Sequence, residues 1–111
     1  MSPLLVLALL TVQQEAPTYA GALRCLGLVN VEAEARSADL DDPALAAAFD
    51  AGIEWSMAAH LLRQRQGISW EQFEADEEAA TAKAKADLAA GGAAVRAELA
   101  ACIKTAPPLR G

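Results

Sequence analysis

A segment in the middle of the chain carries signals for both ends of one long helix. Asp42 is a residue type preferred at helix N-caps, and Pro43, at the first helical position, has its φ angle already set for a helix. Gly67 suits the left-handed residue that follows a helix. Arg63 and Arg65 fall in the last turn, where positive charge opposes the helix dipole. The sequence therefore predicts a helix from residue 43 to residue 66.

This helix has one wide apolar face. At about 100° per residue, small and apolar side chains share that face with one serine and one histidine. Its members are Leu45, Ala48, Phe49, Gly52, Ile53, Ser56, Ala59 and His60. We expect this face to pack against the rest of the protein.

A second helix should follow after a very short turn. Ser69 is a candidate N-cap with Gln72 three residues later, and Ile68 and Phe73 are spaced for a hydrophobic contact across the cap. Its apolar stripe comprises Trp70, Phe73, Ala80, Ala84 and Leu88. The short turn predicts that the two helices form a tight antiparallel hairpin.

Two further helices flank this pair. One runs from Thr18 to about Val31, with residues 32–36 as an extension; the other runs from Ala93 to Thr105 after a break at Gly91–Gly92. About a quarter of the 111 residues are alanine, the best helix former, and β-branched residues are scattered. The expected fold is therefore all-α, a small bundle of three or four helices.

The N-terminus resembles an export signal. Leu4–Val12 is an apolar run too short to span a bilayer. Thr18 and Ala20 are small residues at positions −3 and −1 of a cleavage site before Gly21. We therefore expect a signal peptide over residues 1–20, a helical domain over 21–106, a flexible tail over 107–111 and a periplasmic or secreted protein. Two alternatives stay open: an earlier cut, and an apolar first helix of a cytosolic protein.

Cys25 and Cys102 are the two cysteines of the chain. In an oxidising compartment we expect them to form a disulfide that links the first helix to the last, because so small a domain often needs a covalent bridge. The alternative is two buried free thiols. Both cysteines fall in the later halves of their helices. In a simple up-and-down bundle the first and last helices are antiparallel, which keeps these halves apart. A kinked third and fourth helix that packs across the first helix fits a bridge better.

The middle helices supply two candidate sites. In the predicted hairpin, His60 lies opposite Glu77, and the pair is either a structural hydrogen bond or a pH sensor. The aromatic side chains most often form core, but they are also the candidate lining of a pocket between helices 2 and 3. They are Phe49, Trp55, Trp70 and Phe73.

Charge and motifs argue against several classes of function. The net charge is −6 with no basic run, which argues against nucleic-acid binding and against anionic membrane surfaces after signal removal. Two cysteines and one histidine fall short of a structural zinc site, and no catalytic motif is present, so we predict no metal, no cofactor and no catalytic residues.

The expected function is therefore that of an exported binding or interaction protein without catalysis, with a protein as its partner. Two alternatives are a small-molecule or metal carrier that uses a pocket between helices 2 and 3, and an accessory subunit of an enzyme. A contiguous exposed apolar surface would favour the first interpretation. A concave pocket lined by Trp55, His60, Trp70 and Glu77 would favour the carrier.

Overall fold

A computed structural model describes residues 16–108 of the chain, and these residues form four helices. The helices are α1 (Tyr19–Ala35), α2 (Pro43–Gln66), α3 (Trp70–Ala90) and α4 (Ala93–Lys104). This range contains no strand, which confirms the predicted all-α fold. The apolar part of the predicted leader and residues 109–111 of the predicted tail lie outside the described residues.

The ends of α2 and α3 follow from local chemistry. Asp42 Oδ1 accepts a hydrogen bond from the Ala44 backbone N–H at 2.9 Å, and Gly67 closes α2 in the left-handed conformation with φ of 68°. Ser69 Oγ accepts from the Gln72 backbone N–H at 3.0 Å and starts α3. The predicted bounds of α2 and the predicted start of α3 are confirmed.

Helix α1 begins inside the segment predicted to be the leader. Thr18 Oγ1 accepts a hydrogen bond from the Gly21 backbone N–H at 2.9 Å, so Thr18 is the N-cap. The helix then continues to Ala35, through the extension that the sequence suggested. Thr18 and Tyr19 therefore belong to the folded domain described here.

Helix α1 is the centre of the bundle, and the other three helices surround it. Each of them packs on α1, whereas α2 and α3 hardly touch each other. Two glycines permit close approach to α1: a methyl group on Gly27 would lie 2.9 Å from Ala80 O in α3, and one on Gly52 would lie 2.7 Å from Asn30 Oδ1 in α1. The predicted tight hairpin of helices 2 and 3 is present at its turn, where His60 contacts Trp70 and Phe73. Away from the turn, each of the two helices buries its small residues against α1 instead.

The buried face of α2 is rotated away from the predicted one. Phe49 and Ile53, which we expected in the core, are 60% and 42% exposed. The buried residues are Ala48, Ala51, Gly52, Trp55 and Ala59. Small side chains bring α2 close to α1, and this close contact leaves the larger side chains at the edge.

Helix α4 completes the fold and carries the disulfide. Gly91 and Gly92 have φ of 78° and 111°, conformations that side chains with a Cβ rarely adopt, and the chain reverses there. Helix α4 then runs back along α1 and bonds Cys102 to Cys25, with 5.3 Å between their Cα atoms. The predicted link between the first and last helices is confirmed. Trp55 Nε1 donates to Cys102 O at 2.8 Å and ties α2 to the same place.

Candidate functional site

Three helices around a central one leave three seams, and in the described range two of them are bridged by polar contacts. Trp55 Nε1 bonds to Cys102 O across the seam between α2 and α4. Arg24 bridges α3 and α4: its guanidinium lies 2.8 Å from Asp87 Oδ2 and 2.8 Å from Glu98 Oε2. Among the described residues, the third seam, between α2 and α3, is bridged by aromatic rings at its turn end.

We call this third seam the α2–α3 groove. Its hollow has a volume of about 300 Å³, with α1 as the floor and α2 as the longer wall. It is lined by Leu26, Asn30, Phe49, Gly52, Ile53, Ser56, Met57 and Glu77. The groove is therefore apolar on the α2 side and bears a carboxylate on the α3 side.

Large apolar side chains are exposed on α2. Four of them recur every fourth residue, and we call them the α2 stripe: Phe49, Ile53, Met57 and Leu61. They are 60%, 42%, 50% and 49% exposed. The first three line the groove, and Leu61 continues the row toward the turn. From Phe49 to Leu61 the stripe extends over about 18 Å of helix. A second hollow continues it past Phe49 to Leu40 and Leu45 in the loop and first turn before it.

The α3 wall is acidic. Glu74, Glu77 and Glu78 surround an adjoining hollow on the surface of α3, together with Thr81 and Ala82. None of these three glutamates forms an ion pair within the described residues. The groove therefore has an apolar side and an acidic side.

Aromatic rings close the groove at the turn between α2 and α3. The ring of His60 stacks on Trp70 with centroids 5.5 Å apart and contacts Phe73 at 4.8 Å. Arg63 Cζ lies 5.5 Å from the Trp70 centroid, and Arg63 Nη1 donates to Ile68 O at 3.1 Å. This cluster holds α2 against α3 at the turn.

His60 and Glu77 do not form the bond that the predicted hairpin implied. In residues 16–108, no hydrogen bond or ion pair joins them; His60 lies among aromatic rings and Glu77 lines the groove. The physical reason is that α2 and α3 make few contacts with each other away from their turn, because both pack on α1. A pH-sensing role for the pair stays a prediction.

The four predicted pocket aromatics occupy three different places. Trp55 is buried against Cys102 in the seam between α2 and α4, and Phe49 stands at the edge of the groove. Trp70 and Phe73 belong to the stacked cluster. No cavity in the described part of the chain is lined by all four.

Tyr19 was not singled out from the sequence, yet it fixes α1 to α3. Its hydroxyl donates to Asp76 Oδ2 at 2.9 Å, and its ring lies 6.4 Å from that of Phe73. Burial, followed by the hydrogen bond to Asp76, raises the pKa of Tyr19 to about 12. Tyr19 falls within the predicted first helix, but nothing in the sequence indicates its partner.

The ion pairs of Arg24 were also missed. The Arg24 guanidinium holds the pKa values of Asp87 and Glu98 below their usual range, and the hydrogen bond to Glu98 is the main cause of the raised pKa of Arg24. A lone arginine among the mostly apolar residues 19–29 of α1 was the available signal. The two carboxylates follow at separations of more than sixty residues, so the sequence could not pair them.

Two further results bear on function. Among residues 16–108, no group of three or more His, Cys, Asp and Glu side chains is arranged to bind a metal ion. None of the helices in this range is long and apolar enough to cross a membrane. The groove and the α2 stripe are exposed apolar features of the described surface that suggest an interaction.

Comparison with known proteins identifies no relative. The sequence matches no protein-family model and no curated protein, and the fold matches no solved structure.

Proposed function

We propose that the protein is a binding protein without catalysis, and that a partner protein docks on the α2 stripe and the α2–α3 groove. The observation that carries this proposal is the row of four large apolar side chains, each at least 42% exposed, beside a seam that lacks a covering helix. Burying apolar surface contributes about 25 cal/mol per Å². A contiguous exposed apolar row of this kind is typical of interaction surfaces.

The geometry favours a protein partner over a small molecule. The groove volume of about 300 Å³ is at the low end for ligand pockets. Trp55, which a carrier pocket was expected to use, faces the opposite seam. An accessory role in an enzyme assembly would use the same α2 surface and is one form of this proposal.

We further propose that the protein works outside the cytoplasm, in the periplasm or as a secreted protein. Its disulfide supports this, because structural disulfides persist in oxidising compartments. The cap by Thr18 and the bond from Tyr19 to Asp76 favour a cut before Thr18. Intact-mass measurement of exported protein should give the mass of a mature chain that retains Thr18, lowered by the two hydrogens that disulfide formation removes. Full-length cytosolic protein with free thiols would overturn the export proposal.

Crosslinking from defined positions tests the docking proposal. A photo-reactive residue at Met57, in the α2 stripe, should give discrete protein adducts in the native host. The matched control is Ala86, which is exposed on α3 and lines none of the hollows described above. Equal adducts at both positions, or none at Met57, would contradict a specific binding surface on α2.

A further inference from the structure

We propose that the partner presents a cationic amphipathic α-helix, which lies in the α2–α3 groove with its apolar side on the α2 stripe and its basic side toward α3. This inference rests on the proposed function and names the chemical class of the partner.

The shape of the groove favours a helix. Helices α2, α3 and α4 surround α1, and the seam between α2 and α3 has α1 side chains, including Leu26 and Asn30, as its floor. A helix about 10 Å in diameter fits a seam between two diverging helices. The described range presents no strand edge, so addition of a strand is not available as a binding mode.

The spacing of the α2 stripe fixes the apolar pattern of the partner. Side chains four residues apart form a ridge on α2, and such ridges pack into the grooves between the i and i+4 rows of a second helix. The stripe extends about 18 Å, which matches three to four turns of a partner helix. The partner should therefore carry apolar anchors at i, i+4, i+7 or i+8, and i+11.

The charges beside the groove favour a basic partner. Glu74, Glu77 and Glu78 lie on the α3 side, and exposed Asp50 lies on the outer side of α2. Lys85, exposed farther along α3, offsets one of these charges. Exposed charge pairs contribute little affinity individually, but together they select the sign of the partner and speed its association.

The same charges disfavour a second copy of this chain. Each chain carries a net charge of −6, so a dimer through this face would bring acidic surfaces together. Like charges that face each other across an interface oppose association. A basic helix could make the same apolar contact with the α2 stripe, and its positive charges would face the glutamates of α3.

Three synthetic helical peptides of 14 residues test the proposal. The first has leucines at the anchor positions and lysines elsewhere; the second has glutamates in place of the lysines; the third has the lysine and leucine content of the first in a non-amphipathic order. Fluorescence anisotropy measures the Kd of each for the full disulfide-bonded chain at low and at physiological salt. The lysine amphipathic peptide should bind, with a Kd at least about tenfold lower than that of either other peptide.

Variants locate the binding site. Ile53→Ser combined with Met57→Ser should raise the Kd about tenfold or more, because it removes exposed anchors without touching the core. Substitution of all three α3 glutamates by glutamine should raise the Kd about tenfold at low salt and flatten its salt dependence. The matched control changes the charge equally elsewhere, with Asp39→Asn, Asp41→Asn and Glu71→Gln, and should leave the Kd unchanged.

The contrary outcomes are distinct. Equal binding of the lysine and glutamate amphipathic peptides would overturn the cationic partner and leave the docking surface in place. A second outcome is that none of the three peptides binds, the wild-type protein is a dimer and the Ile53 and Met57 double variant is a monomer. This outcome would assign the groove to a second copy of the chain. If none of the three peptides binds and the protein is a monomer, the proposal of a helical partner is overturned. The crosslinking result from Met57 then decides on its own whether the proposed function stands.

Discussion

Reduction of the disulfide should remove much of the stability of the fold. The bridge joins residues 77 apart, and in the chain-entropy model a loop of this length contributes about 4.5 kcal/mol by restricting the unfolded chain. Small domains have total free energies of unfolding of roughly 5–15 kcal/mol. The core here contains many alanines, each of which buries little area. We therefore expect the reduced protein to be near the lower limit of stability.

Urea unfolding followed by circular dichroism measures this effect. With a slope of about 1–2 kcal/mol per M, a loss of about 4.5 kcal/mol lowers the unfolding midpoint by about 2–4 M. The control is a double variant, Cys25→Ala with Cys102→Ala, which should match the reduced wild-type protein and should not respond to reductant.

A small response to reduction would contradict the loop-entropy explanation. If reduction lowers the free energy of unfolding by less than about 1 kcal/mol, the loop-entropy contribution is not realised. The packing of α1 against its three neighbours would then hold the domain without help from the bridge.

Three single substitutions test contacts of α1. Gly27→Ala should lower the free energy of unfolding by about 1–3 kcal/mol, because the new methyl group would lie 2.9 Å from Ala80 O; helix propensity alone predicts the opposite sign. Tyr19→Phe removes the hydrogen bond to Asp76 and should cost about 1 kcal/mol. Because the pKa of Tyr19 is raised to about 12, its contribution is full below pH 10 and is lost as the pH rises through about 12, so the phenylalanine variant should lack that loss. Arg24→Gln should destabilise the protein at pH 7, and the difference should shrink as the pH falls below about 4, because Arg24 holds the pKa values of its two carboxylate partners low.

Each of these has a direct check. A Gly27→Ala protein as stable as wild type would show that α1 and α3 are not in the close contact described. Tyr19 is the single tyrosine of the chain, so its ultraviolet absorbance titrates it alone, and a pKa near 10 would contradict its burial. For Arg24, the control is Lys83→Gln, which removes an exposed ion pair and should change stability by less than about 0.5 kcal/mol. A pH-independent effect of Arg24→Gln would contradict the ion-pair explanation.

The helix ends could be predicted because the interactions that set them are local. The cap at Asp42, the left-handed Gly67 and the cap at Ser69 each depend on residues within one turn. The break at Gly91 and Gly92 depends on backbone conformation alone. The disulfide could be predicted because the chain has two cysteines and thus one intramolecular pairing.

The packing of the helices could not be predicted in the same way. The sequence suggested that Phe49 and Ile53 point inward, because large apolar side chains usually do. The structure instead buries Gly52 and neighbouring alanines, since only small residues permit the close contact with α1. The choice of α1 as the common neighbour is a property of all four helices together. The sequence predicted a pocket between helices 2 and 3, but of its candidate residues only Phe49 and Glu77 line the groove.

The central position of α1 has a consequence for how the chain reaches its folded state. Helix α1 is synthesised before α2, α3 and α4, contacts all three of them, and carries the cysteine that pairs with one in α4. Many stabilising contacts are therefore distant in sequence and form only after α4 has been made, a topology that slows folding. The disulfide and the full set of contacts around α1 must accordingly wait for the synthesis of α4.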